Sequence, residues 1–318
     1  MSLQRFILKR LLSVIPILFG VSLITFALVH LTPGDPISQM VAMNPHVGAA
    51  EEAALRERYG LDRPVWEQYG TWMMNVLTGD FGQVYRSGEA VSAVVLRRLP
   101  ETLALALFGW LFAIGIAVPT GIYAAANKDQ FGDTVSRFLA LSGISIPNFW
   151  LGLMLILVFA LWLGLWPVLP PSREPLYSTE MLWYLLLPGV TIGTAAAASI
   201  MRVMRTSMAE ELNKEYVTAA RAKGLPERQV VLKHVLRNSL ISVVTLAATI
   251  TAGLVAGSVV VEVVFNWPGL GREFIFAINR REINLIMAIT LFTGLVIILA
   301  NLVADILYAV LDPRIRYD

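Results

Sequence analysis

Reactive side chains are few in this 318-residue chain, and they are spaced against catalysis. There is no cysteine, which excludes disulfides and thiolate metal sites. His30, His46 and His234 lie far apart and form no HExxH zinc pair. No GxSxG nucleophile elbow occurs. None of the five lysines precedes Ser or Thr, so no phosphate-cradling GxxxxGK[ST] loop is present, and the potassium-filter sequence TVGYG is missing. An energy source, if one is used, is expected on another chain.

A different kind of chemistry is concentrated between Arg202 and Arg237. This insert carries eight basic and four acidic residues and separates two long apolar runs. Glu210 and Glu211 supply negative charge suited to a helix N-terminus. Glu215 to Ala222 reads as a compact helix whose Ala219, Ala220 and Ala222 keep its surface thin enough to enter a groove on a partner. Gly224 can adopt the left-handed conformation that ends a helix, and Pro226 follows where the helix cannot continue. A second helix is expected from near Glu227 through Arg237 into the next apolar run. A push on the first helix would then pass through a tight bend into a membrane span. The alternative is a loop whose basic residues only fix topology.

The elements around this elbow follow from composition. The chain is 56% hydrophobic and 15% charged, against about 25% charged in soluble domains. Charge-free stretches run over 11–34, 102–127, 138–172, 181–201, 238–261 and 283–304, each of at least 21 residues. Roughly 20 apolar residues cross the hydrocarbon core, so six spans are predicted. The third stretch is too long for one straight helix. Pro167, Pro170 and Pro171 are expected to end it near Leu165, and Pro119 and Pro147 to kink spans two and three. The basic start followed by an apolar run predicts a retained first span, with a cleaved signal peptide as the alternative. Basic residues favour both termini inside. Arg97 and Arg98 sit on the outer side of that scheme, where their side chains could reach headgroups. A net charge of +2 gives no nucleic-acid signature.

The predicted division is a tail and first span (1–31), a large external segment (32–99), a transmembrane core of the remaining spans (100–311) containing the loop 208–238, and an inner tail (312–318). The external segment is read as a docking or lid element, or else a linker. Within it Glu51–Tyr59 is expected to be helical and stopped by Gly60, and Trp66, Tyr69 and Trp72 to share a face. Small residues such as Gly115, Gly189, Gly193, Gly253 and Gly257 suit close helix packing. Glu262 and Asp305 are the acids nearest the bilayer; both are expected to be solvated or arginine-paired rather than functional.

The elbow resembles the EAA loop of binding-protein-dependent ABC importer permeases. Its form is close to that of the dipeptide/oligopeptide/nickel subfamily and most similar to the B-type member, through Ala220-Arg221-Ala222-Lys223-Gly224 and His234-Val235-Leu236-Arg237-Asn238. The resemblance continues in Pro33-Gly34-Asp35-Pro36, Tyr59-Gly60-Leu61-Asp62-Arg63-Pro64, Gly79-Asp80-Phe81-Gly82, Phe265-Asn266-Trp267-Pro268-Gly269-Leu270-Gly271-Arg272 and Asp312-Pro313-Arg314-Ile315-Arg316. Thr218 stands at the usual EAA glutamate position, and Glu215 is nearby but off register.

The resemblance implies an all-α polytopic membrane protein of the type I ABC importer permease fold, with six transmembrane helices, N-in/C-in, in the bacterial inner membrane. It implies ATPase coupling at Glu215, Thr218, Ala219, Ala220, Arg221, Lys223 and Gly224. External docking or gating falls to Asp35, Asn266, Trp267, Pro268 and Gly269, although Trp267 reads equally well as an interface anchor. It implies a second homologous permease subunit, two ATP-binding subunits and an external substrate-binding protein, with ATP and Mg on the ATPases and no cofactor or metal on this chain. The implied cargo is a di- or oligopeptide, with nickel complexes or glutathione as alternatives. An ATP-independent channel and, more weakly, an intramembrane enzyme are readings of other classes.

Overall fold

The computed structural model describes residues 3–32, 37, 41, 48–171 and 175–311; of these, the side chains of 3–7 and 307–311 are not described. Asp35, the rest of the Pro33–Pro36 turn and the 312–318 tail lie outside these residues.

Helix α1 spans Leu3–Leu31, α2 Ala49–Arg58 and α3 Val65–Leu77. Helix α4 spans Val91–Ala126, α5 Phe131–Ser145, α6 Asn148–Trp162 and α7 Thr179–Leu212. Then come α8, Glu215–Ala222; α9, Glu227–Val264; α10, Leu270–Arg280; and α11, Ile283–Leu311. Among the described residues, five helices are long and apolar enough to cross a membrane, and α5–α6 makes six if that bent pair is one span. Helix α4 has 36 residues; at 1.5 Å per residue it is about 54 Å long, well beyond a hydrocarbon core. This is why its helix starts at Val91, before the apolar run at 102.

Proline sets the break in the third span. Pro147 lacks the N–H a continuing helix needs, and α5 and α6 meet there at 105°. The expected kink is therefore a full break. Helix α6 ends as a π-helical stretch, Ile156–Trp162, with Gly164 at φ +63° just beyond. The helix stops three residues before the expected Leu165, at a glycine rather than at the prolines. Pro119 lies inside a continuous α4.

The chain packs as two units. One comprises Met1–Ile7, Thr102–Trp267 and Ile297–Asp318. Its core is the deeply enclosed α7, started by the Ser178 hydroxyl accepting from the Met181 N–H (3.2 Å). Helices α4 and α7 approach so closely that a Cβ on Gly193 would sit 2.5 Å from the Gly109 carbonyl oxygen. The Asp133 carboxylate, fully buried, accepts from Arg205 on α7 at 2.5 and 2.7 Å and joins α5 to α7.

The second unit comprises Leu8–Glu101 and Pro268–Val296. Residues 268–296 thus pack in one unit with most of the external segment. Helix α2 is stopped by Gly60 at φ +67°. Trp72 is buried and Tyr69 meets Phe26 of α1 edge-on, whereas Trp66 is 76% exposed, so only two of the three aromatics share the packed face. The Glu282 carboxylate is buried and accepts the backbone N–H groups of Tyr85 (2.7 Å) and Arg86 (3.2 Å). Burial pushes its carboxyl above the usual range, although those two donors pull the other way. Arg97 pairs with Glu89 (2.6 Å) and Arg98 with Glu273 (3.4 Å) rather than reaching away from the protein.

Candidate functional site: the elbow between α7 and α9

Helix α8 occupies the interval the sequence marks, Glu215–Ala222. At eight residues it is too short to persist in water on helix propensity alone. Its stability comes from one face. Val217 is fully buried with Val230 and Val235 of α9, and Tyr216, Ala220, Leu225 and Val231 pack against that cluster. The opposite face, carrying Glu215, Thr218, Ala219, Arg221 and Ala222, is exposed, and so are Lys223 and Gly224.

Gly224 adopts φ +76°, the left-handed cap the sequence predicts. Its N–H donates to the Arg221 carbonyl (2.9 Å), the Lys223 N–H to Ala219 (3.1 Å) and the Leu225 N–H to Ala220 (3.4 Å), so the last turn of α8 is satisfied. Across the bend, Arg221 donates to Glu227 at 3.0 and 2.6 Å, joining α8 to the first turn of α9. The pair is exposed, so it fixes geometry more than it adds stability. The Tyr216 hydroxyl donates to Glu211 at the end of α7 (2.7 Å) and accepts from Asn238 of α9 (3.2 Å). Burial and the neighbouring Glu211 carboxylate hold the Tyr216 hydroxyl above its ordinary pKa, so it stays a neutral donor. Lys214 pairs with Glu211 and is raised by that contact.

The elbow is therefore a small helix fastened along one side to α7 and α9 and open along the other. Helix α9 continues from Glu227 to Val264 as one helix, with a π-helical stretch at Val230–Val235. A displacement of α8 has a continuous path into a membrane-length helix. The site brings Glu215, Thr218, Ala219, Ala220, Arg221, Lys223 and Gly224 together, with Ala220 alone turned toward the core. Among the described residues no group of three or more His, Asp or Glu is placed to hold a metal.

The outer candidates fare differently. Asn266 sits at φ +54° and is half-buried. Trp267 is fully buried, its ring parallel to Tyr184 at 6.1 Å, and Tyr184 is stacked on Trp166 at 4.3 Å. The Tyr184 hydroxyl donates to the Phe265 carbonyl. The Trp267 ring is a core group and offers no surface to a docked protein or to an interface. Pro268 is half-buried and Gly269 buried. Glu262 is likewise no solvated acid: it is fully buried and accepts from the Thr102 hydroxyl at 2.8 Å.

Two features escaped sequence reasoning. One is α10, which Pro268-Gly269 followed by Leu270, Phe274 and Ala277 at helical spacing could have revealed. The other is the Asp133–Arg205 pair, which no local pattern announces.

The family model described as "Binding-protein-dependent transport system inner membrane component" matches residues 117–317, and its N-terminal companion matches residues 3–106. The chain belongs to this family. AppB, an oligopeptide transport system permease protein of Bacillus subtilis strain 168, is 38% identical over 98% of this chain and 99% of its own. DppB, a dipeptide transport system permease protein of Alkalihalophilus pseudofirmus, is 37% identical over 98% of each. GsiC, a glutathione transport system permease protein of Escherichia coli K12, is 40% identical over 98% of this chain and 99% of its own. The inward-facing MetNI methionine ABC transporter superposes with a TM-score of 0.54 at 19% identity, over 70% of this chain and 97% of that one, a likeness of fold. The chain is an all-α, multi-pass permease subunit of the type I ABC importer fold, sits in the bacterial inner membrane, and is a transporter component rather than an enzyme.

Proposed function

We propose that this chain forms half of the translocation pathway of an ATP-driven peptide importer and that α8 is its coupling helix. One observation carries the reading. Helix α8 is anchored by Val217 to the start of α9 while Thr218, Ala219, Arg221 and Ala222 stay open. A partner seated on the open face would move α9 with it. Two ATP-binding subunits, with ATP and Mg, are the natural occupants beneath. A second permease subunit completes the pathway, and an external binding protein delivers cargo. With both termini inside, as the basic residues favour, α8 lies on the side from which ATP-binding subunits would approach. Each ligand can shift the inward–outward equilibrium only by its differential affinity for the two states, so ATP and the loaded binding protein must favour the same state.

The near-complete coverage of the oligopeptide and dipeptide relatives supports a peptide cargo. Glutathione, itself a short peptide, has comparable support from GsiC. ATPase activity of the reconstituted complex decides between them: a dipeptide with its binding protein should raise turnover, whereas stimulation by glutathione alone would reassign the cargo. Flux through the purified chain alone in liposomes would overturn ATP-driven import in favour of a facilitator.

A further inference from the structure

Within the second unit, the end of α1, helix α10 and the start of α11 enclose a groove of about 560 Å³. Its walls are Leu28 and Val29 from α1, Ile278 from α10, and Ile283 and Ile286 from α11. Helices α1 and α11 are both membrane-length and apolar. Leu28 is 61% and Ile278 44% exposed, so the walls remain open outward. A concave apolar surface on membrane spans is filled by hydrocarbon rather than water.

One end of the groove is cationic. Arg281 lines it at the left-handed cap of α10, φ +55°, and donates to the Thr32 carbonyl at 3.5 Å. Its neighbour Arg280 is exposed, its guanidinium 5.6 Å from the Phe276 ring. Helix α10 thus shows exposed Phe276 and Ile278 beside two arginines, the composition of a helix lying at a membrane surface. Apolar walls ending at the Arg281 guanidinium, with the exposed Arg280 next to it in the chain, match an acyl chain joined to a phosphate, since arginine binds phosphate oxygens in paired hydrogen bonds.

We propose that this groove is a binding site for one anionic phospholipid, its acyl chain along Leu28, Ile278 and Ile286 and its phosphate at Arg280 and Arg281. The site concerns the bilayer rather than the cargo, and it stands independently of the coupling role of α8.

The test uses the full chain, with any co-purifying subunits, in nanodiscs containing equal amounts of photoreactive phosphatidylglycerol and phosphatidylcholine. Labelled residues are mapped by mass spectrometry. Phosphatidylglycerol should dominate at Leu28, Ile278 and Ile286. Each arginine is worth about fivefold in preference, so Arg280→Gln with Arg281→Gln should remove most of it. Ile278→Trp, which fills the groove, should lower labelling by both lipids there. Equal labelling by the two lipids, or a preference untouched by the double substitution, would overturn the proposal. So would high-yield crosslinking of an Ile278→Cys variant to a second permease chain, which would make the groove a subunit interface.

Discussion

Replacing Gly224 separates backbone conformation from packing at the elbow. The residue holds φ +76°, and a Cβ built there meets no atom within 4 Å. A substitution therefore creates no clash, and its whole cost is that of the left-handed backbone. For an L-residue this is about 1–2 kcal/mol, with a β-branched side chain at the upper end and asparagine, which tolerates the conformation, well below it. A cost of 1–2 kcal/mol changes a local equilibrium by about 5- to 30-fold. Released from its cap, α8 would lose the Gly224–Arg221 and Leu225–Ala220 hydrogen bonds that close its last turn. Gly224→Asn should retain most coupling, Gly224→Ala should lose part, and Gly224→Val most. The assay is substrate-stimulated ATPase activity and uptake in proteoliposomes, normalised to inserted protein. Transport by the valine variant equal to that of the asparagine variant, at matched insertion, would refute the reasoning that a rigid left-handed bend transmits the motion.

Three further expectations concern the fold. Arg205→Ala leaves the fully buried Asp133 carboxylate without its principal partner and should cost about 3 kcal/mol, read as a lower melting temperature in detergent. Gly193→Ala drives a methyl to 2.5 Å from the Gly109 carbonyl and should cost about 1–3 kcal/mol, whereas Gly253→Ala, with nothing within 4 Å, should melt like the parent. The Glu282 carboxyl is raised by burial, so its contribution to stability is complete below the ordinary carboxylate range and is lost as pH rises through the raised value. Melting temperature should accordingly fall on that rise, and Glu282→Gln should flatten the profile; an unchanged slope in the variant would remove Glu282 as its cause.

How far the fold could be read depended on whether a feature is local. The apolar stretches and the elbow are local: α8 begins and ends where the charge pattern, Gly224 and Pro226 place it. Helix α2 likewise stops at Gly60 because that glycine takes the positive φ its position asks for. Features fixed by distant partners were not legible. Trp267 and Glu262 looked like boundary residues, but Tyr184 and Thr102, far away in sequence, enclose them. Glycine packing was readable in kind but not in place: Gly193 touches α4, while Gly115, Gly253 and Gly257 face open space. The length of α4 hid its true start, because a helix can leave the bilayer without changing its hydrogen bonding. The amphipathic α10 is marked in the sequence only by the apolar period of Leu270, Phe274 and Ala277, which the Trp-Pro-Gly turn before it obscures.

In the proposed coupling role, an ATP-driven subunit grips the open face of α8. The chain has no native cysteine, so a single cysteine at Ala219 or Ala222 is a unique probe. Disulfide or bifunctional crosslinking in whole membranes should join it to an ATP-binding subunit, with a yield that changes when ATP is added, and membrane-impermeant thiol reagents applied from outside should leave it unlabelled. A cysteine at Ala219 that never captures such a subunit, or one labelled from the exterior, would contradict the account.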